Sequence, residues 1–89
     1  ITDTGWKTLP GWSVTPKPLG VDAVDSISFS SEHGVIHLTR ENTSLQPGDP
    51  LDYMVGYGDN TVFLHERLYG VRNGEVETIW AVKGRGKYT

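Results

Sequence analysis

Apolar and polar residues alternate over short stretches of this chain and then break at turns rich in glycine and proline. From Val24 to Phe29 the apolar positions are Val24, Ile27 and Phe29, with the alternation slipping at Asp25-Ser26. Gly34 to Leu38 carries Val35, Ile36 and Leu38. Alternation near a period of two sends successive side chains to opposite faces of a strand. Both stretches therefore read as strands, joined by the glycine-containing connection Ser30-Ser31-Glu32-His33-Gly34. Leu51 to Val55 reads as a further strand. Asn73-Gly74, between Leu68-Tyr69-Gly70-Val71-Arg72 and Glu75-Val76-Glu77-Thr78-Ile79-Trp80, signals a type I′ hairpin, because both central residues must tolerate positive φ. Val76, Ile79, Trp80 and Val82 supply its apolar side. Phe63 to Val71 fits neither period and predicts an irregular segment leading into a strand at about residues 67–72.

The remaining stretches are breaks. Residues 1–9 start extended. Residues 10–23 hold Pro10, Gly11, Pro16, Pro18 and Gly20 and read as a loop, since proline lacks a backbone donor and glycine resists ordering. Residues 39–49 are polar and end in the turn Gln46-Pro47-Gly48-Asp49. No segment sustains a helical period. The pattern predicts an all-β domain spanning 1–89, a small barrel or sandwich of five or six short, mainly antiparallel strands.

Size sharpens this picture. A chain of 89 residues fits one small domain. Such domains bury roughly 60–65% of the surface of the unfolded chain, which allows a compact core but not a core plus a deep substrate pocket. The formal charge of −3, with acids and bases interspersed, argues against a nucleic-acid surface, which needs a basic face. The basic cluster Lys83-Gly84-Arg85-Gly86-Lys87 reads as a solvated tail. With no cysteine, disulfides and thiolate metal sites are excluded, which is compatible with the cytoplasm. No apolar run approaches the roughly 18–20 residues of a membrane span, and no signal peptide is visible. The first residue is Ile1, which reads as a cut from a larger protein, with simple trimming as the alternative.

Candidate chemistry concentrates at Tyr57-Gly58-Asp59-Asn60-Thr61. A carboxylate at Asp59, beside Gly56 and Gly58, suits a hard metal ion or a base. It equally suits a turn aspartate bonded to its own backbone. Tyr57 reads either as half-buried packing or as a group pointing into a site. Thr61 fits a turn or strand edge better than a catalytic role. His33 is a proton donor or substrate contact if it meets other groups, and an ordinary loop histidine otherwise; Glu32 beside it reads as a solvated turn residue. His37 alternates within a strand and reads as structural. The spacing of His65 from Asp59 defines no metal motif. Trp6, Trp12 and Trp80 read as core or interface residues.

The ordered pieces Asp3-Thr4-Gly5-Trp6-Lys7, Ser30-Ser31-Glu32-His33-Gly34, Gln46-Pro47-Gly48-Asp49, Asp59-Asn60-Thr61-Val62-Phe63-Leu64 and Arg85-Gly86-Lys87-Tyr88 cover nearly the whole chain. In this order they resemble the C-terminal domain of the D-threonine aldolase and D-serine dehydratase enzymes. The resemblance implies an N-terminal barrel like that of alanine racemase, holding pyridoxal phosphate on a lysine outside this chain. It implies a β-domain that completes the active site for a small D-amino acid, in a cytoplasmic homodimer. In that family a divalent metal is held by a His, one intervening residue, and a Cys or Asp. The second ligand falls on Asp59, but the first falls on Tyr57 rather than His. An oxygen-only pair suits Mn²⁺ or Mg²⁺ better than Zn²⁺. Alternatively the metal is lost and Tyr57 serves as a hydrogen-bonding or acid/base group. His33 becomes a second contact to the substrate. Asp at position 59 leans toward an aldolase of D-β-hydroxy amino acids. The alternatives are a D-serine dehydratase-like ammonia lyase, a non-catalytic domain for subunit contact, and a carbohydrate- or peptide-binding barrel built on the tryptophans.

Overall fold

The computed structural model describes residues 1–87. Six strands and one short helix follow in the order β1 (Lys17–Pro18), β2 (Val24–Phe29), β3 (Gly34–Leu38), β4 (Tyr53–Met54), α1 (Gly58–Val62), β5 (Arg67–Arg72) and β6 (Glu75–Ala81). The strands form three two-stranded antiparallel sheets, β1–β4, β2–β3 and β5–β6. The domain is thus all-β as its pattern predicts, but the described residues do not close a barrel. The physical reason lies in β1. Pro18 has no N–H to donate, and Pro16 precedes it, so the ladder stops after the pairs Lys17↔Met54 and Pro18↔Tyr53. The strand expected over Leu51 to Val55 shrinks to Tyr53–Met54 for want of a longer partner.

The β2–β3 hairpin pairs Ile27 with Ile36 and Phe29 with Gly34. Its register shifts between Val24 and Ser26, where the alternation slips at Asp25-Ser26. Phe29 meets Trp6 with ring centroids 5.8 Å apart. The core is small and sits between this hairpin and the N-terminal loop. Pro16 is fully buried, and Leu9 is 5% exposed. Because so few apolar side chains are buried, each carries a large share of the stability. Leu9→Ala is expected to cost about 2–4 kcal/mol, read as a lowered urea midpoint with an unchanged slope.

Turn chemistry follows the sequence closely. Asn73 and Gly74 take φ of 51° and 78°, as a type I′ turn requires. Gly48 has φ 96° in a turn where Asp49 N–H donates to Gln46 O at 3.1 Å and Gln46 N–H donates to Asp49 Oδ2 at 2.9 Å. The Lys83–Lys87 cluster is exposed, as expected, and is folded into turns, with Lys87 N–H donating to Gly84 O at 3.2 Å. Tyr88 of the closing motif lies outside the described residues.

The β5–β6 hairpin exposes apolar groups on both faces. Tyr69, Val71, Val76 and Ile79 share one face through the pairs Tyr69↔Ile79 and Val71↔Val76. A register shift between Gly70 and Val71 keeps Val76 and Ile79, three positions apart, on that face. Trp80, expected beside them, falls on the opposite face with Leu68, and its ring lies against Gly70. All four residues of the first face are more than half exposed. The whole chain exposes 6891 Å², against about 5,200 Å² for a compact monomer of this mass. Among the described residues no helix is long and apolar enough to cross a membrane.

Candidate functional site

Tyr57 ends the extended chain with φ −141° and ψ 107° and stands at the N-cap of α1. Its carbonyl accepts the Thr61 N–H at 3.2 Å and the Thr61 hydroxyl at 2.9 Å. Thr61 is buried, so its hydroxyl closes the helical turn. Asp59 sits in the first turn, where a carboxylate favours the unpaired amides of the helix start. The helix has five residues and no sustained period, which is why the sequence pattern does not announce it.

A loop from the N-terminal segment fixes this turn from the side. A side-chain carbon at Gly56 would lie 1.7 Å from Val14 O, so glycine is needed for the two backbones to touch. The contact brings Trp12 against Tyr57, with ring centroids 5.4 Å apart and planes tilted by 56°. Ser13, between them in sequence, takes the left-handed φ of 72°. Trp12 is therefore the residue that orients Tyr57, a role sequence reading missed. Its one sequence signal is Gly56, a glycine directly before a candidate residue. Trp12, Tyr57 and Asp59 all remain exposed.

A second unit joins two of the motif pieces. A side-chain carbon at Gly5 would lie 2.4–2.5 Å from backbone atoms of Ser30, Ser31 and Glu32. Trp6 N–H donates to Ser30 O at 2.9 Å and Lys7 N–H to Ser31 O at 3.1 Å. Glu32 is exposed in its turn, as expected, and its carboxylate pairs with the Lys7 ammonium. The turn is closed by Ser30 N–H donating to His33 O at 2.9 Å, and it presents the His33 ring to solvent. Elsewhere, His65 Nε2–H donates to Thr8 O at 2.9 Å, and His37 Nε2 lies 3.2 Å from Ser28 Oγ. Both have structural partners.

The Lys7 hydrogen bond and charge hold the Glu32 carboxyl below its ordinary 4.5. A depressed carboxyl contributes stability that is present above the unfolded value and lost as pH falls through the folded one. Lys7→Met is therefore expected to lower the melting temperature at pH 7. The difference should vanish below the carboxyl range, as thermal scans from pH 7 to 2.5 would show.

The structure thus sets Tyr57 and Asp59 on one helical turn and His33 on a separate, rigidly held one. No hydrogen bond or ion pair links the two turns directly among the described residues. Among those residues no group of three or more His, Asp or Glu side chains could hold a metal. Tyr57 and Asp59 offer three side-chain oxygens at most, so on their own they do not make a metal centre.

No protein-family model matches the chain. Three curated relatives do, two of them 3-hydroxy-D-aspartate aldolases of Paracoccus denitrificans. The 3-hydroxy-D-aspartate aldolase of Paracoccus denitrificans (strain Pd 1222) is 39% identical over 87 residues, which cover 98% of this chain and 22% of the relative. The D-threonine aldolase of an Arthrobacter species is 30% identical over 86 residues, covering 97% of this chain and 23% of the relative. Over nearly its whole length the chain is thus similar to one segment of these aldolases, consistent with a domain of such an enzyme. It spans less than a quarter of the length of the curated relatives it matches. The Gly5–Lys7 and Ser30–Gly34 pieces, which carry part of the family resemblance in sequence, are in contact in the fold.

Proposed function

We propose that this chain is the β-domain of a larger pyridoxal phosphate-dependent aldolase that cleaves D-β-hydroxy amino acids, and that Asp59 and Tyr57 face its active site. The observation that carries this is the near-complete alignment with two aldolases, both named for D-configured hydroxy amino acids. The exposed turn at Tyr57 and Asp59, braced by Gly56 and Trp12, supplies the polar groups on this side of the site. The partner is the rest of the same protein. The short core and the open apolar face of β5–β6 support such a partner.

Pyridoxal phosphate, held on a lysine outside this chain, supplies the electron sink for Cα–Cβ cleavage. The chain's own residues position the other end of the substrate. The Asp59 carboxylate accepts a hydrogen bond from the β-hydroxyl, whose proton must leave as the aldehyde forms. The Tyr57 phenol donates to the same region, its ring fixed by Trp12. The His33 ring is a second contact for the substrate. A divalent cation here would need ligands from the rest of the protein, and an oxygen-only pair of side chains favours Mn²⁺ or Mg²⁺ over Zn²⁺.

The test is product analysis with the full-length parent, pyridoxal phosphate and Mn²⁺, using D-threonine and 3-hydroxy-D-aspartate. Glycine and an aldehyde support the aldolase. Ammonia and a 2-oxo acid replace it with a dehydratase, and no product from either substrate leaves a domain for subunit contact.

A further inference from the structure

One edge of β3 is open beside an apolar groove. In this strand the backbone groups of Gly34, Ile36 and Leu38 point away from β2. Those of Gly34 are met by Thr2, which donates its N–H to Gly34 O at 2.8 Å and accepts the Gly34 N–H at 3.1 Å. Those of Ile36 and Leu38 have no backbone partner among the described residues. The groove has a volume of about 860 Å³ and is lined by Val21, Ile36, Leu38, Leu45, Leu51 and Tyr53, among others. An uncovered edge flanked by apolar side chains is a template for pairing, and proteins cover it.

The Thr2–Gly34 bridge fixes what can cover it, because the bridge is antiparallel. A chain reaching Ile1 in the same sense runs along β3 from Leu38 toward Gly34. The register then places the residue directly before Ile1 opposite Ile36, and the third residue before Ile1 opposite Leu38. Directly opposed residues share a face. These two side chains therefore turn into the groove with Ile36 and Leu38. The matched segment is 22% of the length of the longer relative protein, so a parent of that size has further chain to supply.

We propose that the segment of the parent immediately before Ile1 adds to β3 as an antiparallel strand and fills the groove with apolar side chains at those two positions. The proposal rests on the chain being part of a longer protein but not on aldolase chemistry.

The test uses the full-length parent with His37 and the second residue before Ile1 both replaced by cysteine. In this register they form a non-hydrogen-bonded pair, with Cα atoms about 4.5 Å apart, within disulfide reach. Oxidation is expected to give a crosslinked peptide lighter by two hydrogens in mass analysis. In the unmodified parent the Ile36 and Leu38 amides are expected to exchange as slowly as those of Val35 and His37. The control pair Ile1→Cys and Val35→Cys reports the bridge itself. Crosslinking of the control alone overturns the proposal. So does slow exchange at Ile36 and Leu38 without the His37 crosslink, which would mean that another part of the parent fills the groove. Failure of both pairs shows that the Thr2 bridge is absent in the parent and overturns it equally. Loss of aldolase activity bears on none of these readings.

Discussion

Gly56→Ala is expected to destabilise the domain by about 3 kcal/mol, at the upper end of what overpacking costs. The added carbon would sit 1.7 Å from Val14 O and 2.6 Å from Val14 C. Both are backbone atoms, so no side-chain rotation relieves the clash and the whole loop must move. That loop is held by the fully buried Pro16 and by Gly11, whose own built carbon meets Phe29 at 3.3 Å. A domain of this size has roughly 4–13 kcal/mol in total, and the loss translates to a fall of about 12–24 °C in melting temperature. Gly58, two residues on, is the control. A carbon there meets nothing within 4 Å. Gly58→Ala should be neutral or stabilising by up to about 1 kcal/mol, since alanine favours a helix. Equal melting temperatures for the two variants would contradict the Gly56–Val14 contact.

Asp59→Asn in the full-length parent should lower kcat/KM by at least about 100-fold, the smaller end of what positioned acid–base groups contribute. The same change should leave the fold intact. Asp59 is exposed, and its favourable place in the first turn of α1 is worth only about 0.3–1 kcal/mol. Tyr57→Phe separates the two roles of Tyr57 itself. The ring stays on Trp12 while the hydroxyl is lost, so activity falls without a change in melting temperature. Trp12→Ala removes the ring that orients Tyr57 and should raise KM more than it lowers kcat. Wild-type turnover in Asp59→Asn would remove that residue from the site.

Several elements were legible because one period or one turn determines them. The alternation in β2 and β3, its slip at Asp25-Ser26, and the Asn73-Gly74 turn all reappear as pairing, bulge and type I′ geometry. The β1–β4 pair was hidden, because a two-residue strand between prolines has no pattern of its own. Helix α1 was hidden for the same reason, being shorter than two turns. Alternation also does not tell whether sheet edges meet, which is why a closed barrel was an open option that the described residues do not adopt. At the site, the order of the motif pieces was legible, and the structure shows a physical reason in the contact of Gly5 with the Ser30–Glu32 backbone. The packing of Trp12 on Tyr57 was not, since two loops far apart in sequence make it. His33 and Asp59 lie on separate turns with no hydrogen bond between them among the described residues, so neither the pattern nor the domain shows them acting together.

We propose that this domain serves a carbon–carbon cleavage of D-β-hydroxy amino acids. It is tested most directly by glycine release from D-threonine and 3-hydroxy-D-aspartate, measured on the full-length parent and its Asp59→Asn variant side by side, each loaded with pyridoxal phosphate. Glycine and aldehyde are expected in equal amounts from the parent, and at least about 100-fold less from a variant with an unchanged melting temperature. Ammonia in place of glycine, or equal turnover by both proteins, would contradict it.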